Sequence, residues 1–209
     1  MLPMRVSLEY LIKRSSHKNI YSAMSETLRQ HFKQITNVSD EEFENIFSFF
    51  QRQRFRKRQF VIQENQWIDE VYFVEKGLLK SSFIDDIGKE HILQFACENW
   101  WISDFTAFFK KEKSTISIEC IEDSDLLSIS FSALELLCEK YPKIEHFFRV
   151  KSNLGYVALQ QRILSLMTQS AKIRYDNFCK QYPEIIQKIP KQQIANYLGV
   201  SRETLSRLQ

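Results

Sequence analysis

The chain has 209 residues, of which 44% are hydrophobic and 26% are charged, and its formal net charge is +3. This composition supplies enough apolar material for one or two domains, and the scarcity of glycine and proline excludes fibrous and low-complexity classes. No apolar run approaches the roughly 18–20 residues of a membrane span, and no signal-peptide apolar region opens the chain. We therefore expect a cytoplasmic protein without a membrane partner.

The charge is distributed unevenly along the chain. Residues 143–209 contain 11 Lys and Arg against 4 Asp and Glu, a balance of +7, whereas residues 1–142 contain 18 against 22. The C-terminal third is therefore the part that is suited to binding a polyanion. A solvated basic surface would have the same composition, so charge alone does not decide between the two.

The first predicted element is a short helix that begins near Ser39. Residues 1–23 are poorly patterned and are predicted to be an N-terminal extension. The stretch "SDEEFENIFSFF" opens with a capping box, in which the Ser39 hydroxyl accepts a hydrogen bond from the Glu42 amide and the Glu42 carboxylate accepts one from the Ser39 amide. Phenylalanine and isoleucine then follow at helical spacing, which predicts a helix.

Between about residue 55 and about residue 130 the apolar pattern changes to that of β-strands. The runs "FVIQ", "EVYFVEKG", "LLKSSFIDDIGKEHILQF" and "STISIECIEDSDLLSIS" predict six to eight short antiparallel strands, which indicates a barrel, a roll or a sandwich. Two polar clusters, "DDIG" at residues 85–88 and "EDSD" at residues 122–125, are predicted to be hairpin loops.

A basic run, "RQRFRKRQ", precedes these strands. Its arginines alternate along the sequence, at Arg52, Arg54, Arg56 and Arg58. Alternation places them on one face of an extended strand, where they would protect a solvated sheet edge from aggregation. A secondary contact to an anion or to the DNA backbone is the alternative.

After Ser130 the pattern returns to that of a helix, and Pro142 suits a first helical turn. Apolar residues then follow a coiled-coil-like spacing that is interrupted once, at Phe147, Val150, Leu154, Val157 and Leu164. A helix packed on its own domain is one explanation. A seam of this kind just before a basic segment favours a two-fold dimer, so residues 142–168 are predicted to form a dimerisation helix.

The C-terminal segment predicts two helices joined by a tight turn, after a preceding helix over residues 170–182. Pro190 can start a helix that runs to Leu198, and Gly199 can end it in the left-handed conformation. Ser201 is a good N-cap for a second helix. A helix, a glycine-containing turn and a helix in this order are typical of a helix-turn-helix.

The second of these helices has separate apolar and polar faces. Leu205 and Leu208 fall on one side of a helical wheel, opposite Arg202, Glu203 and Arg207. An arginine can bond guanine in a bidentate way, and a glutamate can accept from cytosine N4. Helix-turn-helix motifs place such base contacts near the start of the second helix, so this face is predicted to read DNA.

The stretch "IANYLGVSRETLSRL" resembles the helix-turn-helix of the Crp/Fnr superfamily of transcription regulators, the family of the cyclic-AMP receptor protein. The DNA contacts that this resemblance implies are Ser201, Arg202, Glu203, Thr204, Ser206 and Arg207. In that family a β wing follows the recognition helix. Because this sequence stops at Gln209, we expect a helix-turn-helix without its wing.

The resemblance extends upstream. The stretches "VYFVEKGLLKSSFIDDIGKEHILQFACENWWISD" and "SIECIEDSDLLSIS" resemble the β-roll of the same family, in particular its Bacteroidetes-type branch. The resemblance therefore implies an α+β protein with an antiparallel, jelly-roll-like sensor roll at residues 24–141. The dimerisation helix at residues 142–168 and a DNA-binding domain at residues 169–209 would follow it.

Cyclic-nucleotide sensors of this family hold the ribose with a glutamate and the phosphate with an arginine. The corresponding stretch here, "ENWWISDFTAFFKKEKSTIS", contains no Gly-Glu pair and has lysine where the arginine would stand, so cyclic AMP is not the expected effector. The candidate effector-pocket residues are Trp100, Trp101, Asp104, Lys113, Ser114 and Thr115. The alternative is that the tryptophans fill the roll and Lys113 is exposed. An apolar or aromatic effector remains open.

The chain has four cysteines, Cys97, Cys120, Cys138 and Cys179. They form no CxxC pair and none lies at metal-ligand spacing from a histidine, so we expect reduced thiols, no metal site and no cofactor. The histidines form no catalytic pair, which argues against a cupin-type enzyme.

These observations predict a homodimeric regulator that binds a palindromic operator in double-stranded DNA. RNA polymerase and a small-molecule effector are its further candidate partners. The alternative function is that of a small-molecule-binding roll without DNA binding.

Overall fold

The computed structural model describes residues 26–208, and the predicted extension at residues 1–23 lies outside them. The helices within this range are α1 (26–33), α2 (Asp40–Phe47), α3 (Phe105–Lys110), α4 (Phe131–Lys140), α5 (Pro142–Thr168), α6 (Ala171–Gln181), α7 (Ile185–Lys188), α8 (Lys191–Leu198) and α9 (Arg202–Leu208). The strands are β1 (Gln51–Phe55), β2 (Phe60–Ile62), β3 (Glu70–Lys76), β4 (Leu79–Ile84), β5 (Glu90–Ala96), β6 (Trp101–Ile102), β7 (Ser117–Cys120) and β8 (Ser124–Ser130).

The strands form two four-stranded antiparallel sheets, in the orders β1-β8-β3-β6 and β2-β7-β4-β5. Apolar side chains from both sheets, among them Val74 and Leu126 of one and Leu79 and Ile118 of the other, fill the space between them. The arrangement is the α+β fold with an antiparallel roll that the sequence predicts.

A layer of helices covers the outer face of the first sheet. Phe32, Phe43 and Phe147 are fully buried there together with Leu127 of β8. Strand β8 is therefore covered on both faces, since its neighbouring residue Leu126 points into the roll. This explains why the neighbouring residues Leu126 and Leu127 are both apolar, because a strand that is buried on both sides does not alternate.

The capping box at the start of α2 is confirmed. The Ser39 hydroxyl accepts a hydrogen bond from the Glu42 amide at 3.2 Å, and the Glu42 carboxylate accepts one from the Ser39 amide at 3.0 Å. Lys143 of α5 also donates to this carboxylate, at 2.7 Å. The pKa of Glu42 lies below its ordinary value, chiefly because of the hydrogen bond from Lys143.

One of the two predicted hairpin loops is confirmed and the other is wrong. Residues 85–88 join the paired strands β4 and β5, with Gly88 at a φ of 79° and the Asp85 carboxylate accepting from the Lys89 amide at 2.9 Å. Residues 122–125 instead connect the two sheets, because β7 pairs with β2 and β4 while β8 pairs with β1 and β3. A polar cluster marks a turn, but it does not show which strands the turn brings together.

The basic run is only partly a strand. Arg52 and Arg54 belong to β1, which lies at a sheet edge as predicted, whereas Arg56 and Arg58 lie in the turn that follows. Arg58 has a φ of 69°, which ends the extended conformation and the alternation with it. Arg52 lies 3.8 Å from the buried Glu75 carboxylate, and Arg54 lies 3.5 Å from Asp125.

Helix α5 is the longest described helix, with 27 residues, and it leads from the roll to the C-terminal helices. Ser170 caps α6 by accepting a hydrogen bond from the Ile173 amide, as the predicted helix over residues 170–182 requires. No helix between residues 26 and 208 combines the length and the apolar character that a membrane crossing demands.

Candidate DNA-binding surface and sensor roll

The predicted turn between the last two helices is present. Gly199 ends α8 in the left-handed conformation, at φ 68° and ψ 35°, and the Val200 amide donates back to the Ala195 carbonyl at 3.0 Å. Ser201 then caps α9, since its hydroxyl accepts a hydrogen bond from the Thr204 amide at 3.1 Å. The chain therefore forms a helix-turn-helix from α8 and α9.

Helix α9 has the two faces that its sequence predicts. Leu205 of α9 is fully buried and belongs to the same apolar cluster as Ile194, Ala195 and Leu198 of α8. The polar residues of the helix that are exposed to solvent are Arg202, Glu203, Ser206 and Arg207, and Thr204 is half-buried. One side of α9 is thus fixed in the fold, and the other presents donors and acceptors to solvent.

Local hydrogen bonds favour the charged form of the Glu203 carboxyl. Hydrogen bonds from its own backbone amide and from Ser201 lower the pKa of the Glu203 carboxyl below its ordinary value, and Arg202 and Arg207 add to the effect. An ionised carboxylate can only accept hydrogen bonds, which suits a contact to the amino group of cytosine.

Two basic residues of α6 hold the ends of the motif. Arg174 donates from Nε to the Leu198 carbonyl at 3.1 Å, and Lys172 donates to the Leu208 carbonyl at 3.0 Å. Both carbonyls lie at helix C-termini, where the backbone has no partner within the helix. Local spacing gives no sign of these contacts, because they join residues that are distant in the chain.

The helix-turn-helix packs on the roll. Phe95 of β5 contacts Phe178 and Tyr197, with ring centroids 6.2 Å and 5.3 Å away. Asn196 of α8 donates to the Glu90 carboxylate of β5 at 3.0 Å. The apolar and polar contacts together fix α8 against β5, which is the edge strand of the second sheet.

The predicted dimer residues divide into two groups. Phe147 is fully buried against its own domain, and Val150 is half-buried, so the expectation that Phe147 faces a partner helix is corrected. The side chains of Leu154, Val157 and Leu164 are exposed by 58%, 47% and 51%. The second half of α5 therefore presents apolar residues to solvent, whereas its first turns belong to the core.

Asp104 does not face a ligand site. It caps α3 and is almost fully buried, where it accepts hydrogen bonds from the Ala107 amide at 3.0 Å, the Ser114 hydroxyl at 2.9 Å and the Thr115 amide at 3.0 Å. Three donors occupy this carboxylate, so its assignment to an effector pocket is corrected. Ser114 and Thr115 serve the same internal network.

The two neighbouring tryptophans pack in different places. Trp101 lies in the helical layer, with its ring centroid 5.1 Å from that of Phe73, while Trp100 packs towards Tyr182, at 6.1 Å. Lys113 is exposed. The six candidate residues therefore do not line one pocket, because successive side chains near a strand point to opposite sides. Lys113 is in solvent, as the alternative expected, but the tryptophans do not both fill the roll, because Trp101 packs in the helical layer outside it.

The roll also contains an open cleft of about 420 Å³ beside β2 and β3. Its polar lining includes Gln66, Asp69, Glu70 and Tyr72. Glu70 already accepts hydrogen bonds from Tyr72, Ser128 and Gln53. Within residues 26–208, no group of three or more His, Cys, Asp and Glu side chains could hold a metal ion.

The fold and the surfaces described above agree with three kinds of similarity to known proteins. The family model described as the cyclic nucleotide-binding domain matches residues 52–141, which run from β1 to the residue before α5. The chain is 27% identical over 184 residues to the regulatory protein HlyX of Actinobacillus pleuropneumoniae, covering 82% of this chain and 75% of that protein.

The chain is also 25% identical over 166 residues to the transcriptional activator protein Anr of Pseudomonas protegens, covering 73% of this chain and 66% of that protein. Among solved structures, the c-di-GMP responsive global regulator CLP of Xanthomonas campestris superposes with a TM-score of 0.67 at 16% identity. The superposition covers 79% of this chain and 87% of that one, and it shows a shared fold.

Proposed function

We propose that the chain is a transcription regulator of the Crp/Fnr type, which its relatives resemble, and that it binds a palindromic DNA operator as a homodimer and controls transcription there. The observation that carries this proposal is the exposed polar face of α9. Arg202, Glu203 and Arg207 stand in solvent on a helix whose opposite side is fixed by the buried Leu205. A rigid helix with exposed arginines near its start is the element that such proteins insert into the major groove.

The proposal divides the chain into three functional parts. Residues 24–141 are the sensor domain, residues 142–168 are the dimerisation helix, and residues 169–209 are the DNA-binding domain. Ser201 and Thr204 contact phosphates, and Ser206 lies on the same face as the base-reading residues. The protein acts in the cytoplasm, with RNA polymerase as a further partner and no catalytic activity.

A homodimer is required by the geometry of the operator. Two recognition helices enter successive major grooves only if they lie roughly 34 Å apart on a two-fold symmetric assembly. The exposed apolar side chains of α5, including Val157 and Leu164, offer the surface that a second copy of the helix would cover. A shift of this helix would change the distance between the two recognition helices.

Cyclic AMP is not the proposed effector. The Asp104 carboxylate is occupied by three donors from its own chain, and the exposed Lys113 lacks the guanidinium fork that holds a buried phosphate. A small-molecule effector of another chemical class is a further candidate partner of the roll.

The proposal is tested by selecting a DNA site from a randomised duplex library and measuring its binding by fluorescence anisotropy. Affinity for the selected palindrome should fall steeply between about 50 mM and about 200 mM salt, because phosphate contacts release counterions. Loss of binding to every duplex at low salt would reject the proposal. It would favour a small-molecule-binding roll without DNA binding.

A further inference from the structure

Arg162 on α5 connects three separate elements through one side chain. Its Nη2 donates a hydrogen bond to the Ile92 carbonyl of β5 at 2.9 Å and another to the Tyr197 carbonyl of α8 at 2.9 Å. The guanidinium carbon also lies 3.7 Å from the centroid of the Tyr197 ring, within cation–π distance. The dimerisation helix, the roll and the helix-turn-helix therefore meet at this residue.

The two carbonyls are groups that the fold would otherwise leave without a backbone partner. Tyr197 is the second-last residue of α8, and the last four carbonyls of a helix have no donor within that helix. Ile92 lies in β5, an edge strand whose outward carbonyls are not paired by a neighbouring strand. A cation is favoured at the C-terminal end of α8, because the helix dipole is negative there.

Arginine is suited to this position for a reason that lysine does not share. Its planar group can stack on the Tyr197 ring while its N–H groups point outward to both carbonyls. A lysine at this place could retain the charge, but it offers no flat surface to the ring. Replacing Arg162 with lysine therefore removes the planar group that stacks on the Tyr197 ring but keeps the positive charge.

The contacts around Arg162 support the same arrangement. Asn196, the residue before Tyr197, donates to Glu90 of β5 at 3.0 Å, and Lys80 of β4 donates to the same carboxylate at 2.6 Å. Lys188, which precedes α8, pairs with Glu122 of the roll at 3.2 Å. The helix-turn-helix is thus attached to the roll at several points, and Arg162 alone among these residues also belongs to α5.

We propose that Arg162 is a positioning residue for DNA binding. It sets the angle of the helix-turn-helix relative to the dimerisation helix, and through the two-fold axis it sets the distance between the two recognition helices. Arg162 is half-buried and is occupied by β5 and α8, whereas the reading residues stand exposed on α9, so Arg162 itself contacts no DNA. This inference rests on the proposed function, because it assumes that α5 joins two copies at an operator.

The test uses the full chain with Arg162→Lys and Arg162→Met, and a library in which two selected half-sites are separated by spacers of different length. The wild-type protein should select one spacing. Both variants should select a broader range of spacings, and their affinity for the optimal site should fall roughly two- to thirtyfold. The salt dependence of binding should not change, because Arg162 neutralises no phosphate.

Arg149→Lys is the matched control. Arg149 lies on the same helix and is exposed, and its described hydrogen bond is to His146 within α5 at 2.7 Å. This variant should retain the wild-type spacing and affinity. Wild-type spacing in both Arg162 variants would overturn the inference, and so would a reduced salt slope, which would show a direct phosphate contact.

A second measurement does not depend on DNA. Hydrogen exchange at the amides of α8 and β5 should be faster in Arg162→Lys than in the wild-type protein, while exchange in the sheet interior stays unchanged. Unchanged exchange in α8 and β5 would overturn the inference. If the wild-type protein binds no duplex at all, the proposed function fails, and the exchange measurement still decides whether Arg162 holds the helix-turn-helix on the roll. Arg162→Lys decides both tests if Arg162→Met does not fold.

Discussion

Arg202 is the first residue of the proposed recognition helix α9, and its side chain is exposed to solvent. Replacing it therefore tests directly whether this residue reads DNA bases. Arg202→Ala should weaken binding to the selected operator by about 1–3 kcal/mol and relax the base preference at one position. The measurement is a repeated selection from the randomised library, with affinities from anisotropy titration.

Lys113→Ala is the control for this substitution. It removes the same charge from an exposed side chain of the roll, distant in sequence from the recognition helix. Operator affinity and base preference should stay at their wild-type values. An unchanged binding motif in Arg202→Ala would contradict the assignment of base reading to this residue.

His31 is a buried histidine whose surroundings favour the neutral ring. Burial, with a smaller effect of the nearby Lys151 charge, lowers the pKa of His31 from 6.5 to about 4. Its Nε2 accepts a hydrogen bond from the Trp101 indole at 3.2 Å, and its ring lies 5.0 Å from that of Phe73. The unfolded chain therefore takes up a proton at a higher pH than the folded chain does.

This difference predicts that stability falls with acidification. Because the folded-state pKa of His31 is the lower one, its contribution is complete above about pH 6.5 and is lost as the pH falls towards about 4. Between about pH 7 and about pH 5, the loss attributable to His31 should be about 2 kcal/mol of unfolding free energy.

The measurement is urea unfolding of wild type and His31→Phe at both pH values. The phenylalanine keeps an aromatic ring but cannot titrate, so the stability of the wild-type protein relative to His31→Phe should fall by about 2 kcal/mol at the lower pH. Comparing the two also removes the opposite effect of Glu75, whose pKa is raised to about 7 by burial. A difference that is independent of pH would contradict the assignment.

At the scale of single elements, replacing each of two glycines with alanine should change the stability of the protein in opposite directions. Gly199 has a φ of 68° in the turn of the helix-turn-helix, whereas Gly155 lies inside α5 with open space around its Cβ position among the described residues. Gly199→Ala should cost about 1–2 kcal/mol, because a Cβ disfavours the left-handed conformation. Gly155→Ala should stabilise the helix by about 0.5–1 kcal/mol.

Urea unfolding at one fixed protein concentration measures both changes. Since both variants add the same methyl group, the sign of the change depends on backbone conformation alone. Equal signs for the two variants would contradict this account of the turn. Operator binding should also weaken in Gly199→Ala, because α9 would be displaced relative to α8.

The elements themselves were largely predictable. Four helices begin or end at a capping residue that can be recognised in the sequence: Ser39 for α2, Ser170 for α6, Gly199 for α8 and Ser201 for α9. Each capping residue acts within about one turn of the chain. The connection at residues 122–125 was not predictable in this way. Its turn residues are local, but the choice of partner strands depends on contacts across two sheets.

At the scale of the whole molecule, the exposed apolar residues of α5 predict how two copies associate. Leu164 lies on the side of the helix away from Arg162 and the roll, and Leu159 lies about 140° around the helix from it. Their side chains are exposed by 51% and 61%. Leu164→Glu should convert the proposed dimer to a monomer and abolish operator binding.

Leu159→Glu is the matched control, with the same change on the same helix, and it should remain a dimer. Sedimentation velocity measures both variants. A dimeric Leu164→Glu protein, or a monomeric Leu159→Glu protein, would contradict the assigned dimer face.

Sequence alone determined the features that depend on neighbouring residues. The change of apolar spacing near residues 55 and 130 separates the roll from the helices, and the faces of α9 follow from helical periodicity, with Leu205 inside and Arg202 outside. These features depend on contacts within a few residues, so a single sequence carries them.

Only the tertiary structure decided which residues that are distant in the chain contact each other. Asp104 has become a helix cap, Trp100 and Trp101 pack in different clusters, and Phe147 belongs to its own domain. Arg162 joins Ile92 to Tyr197, which lie far apart in the chain. No local pattern encodes these pairings, because each one exists only when the folded chain brings distant segments together.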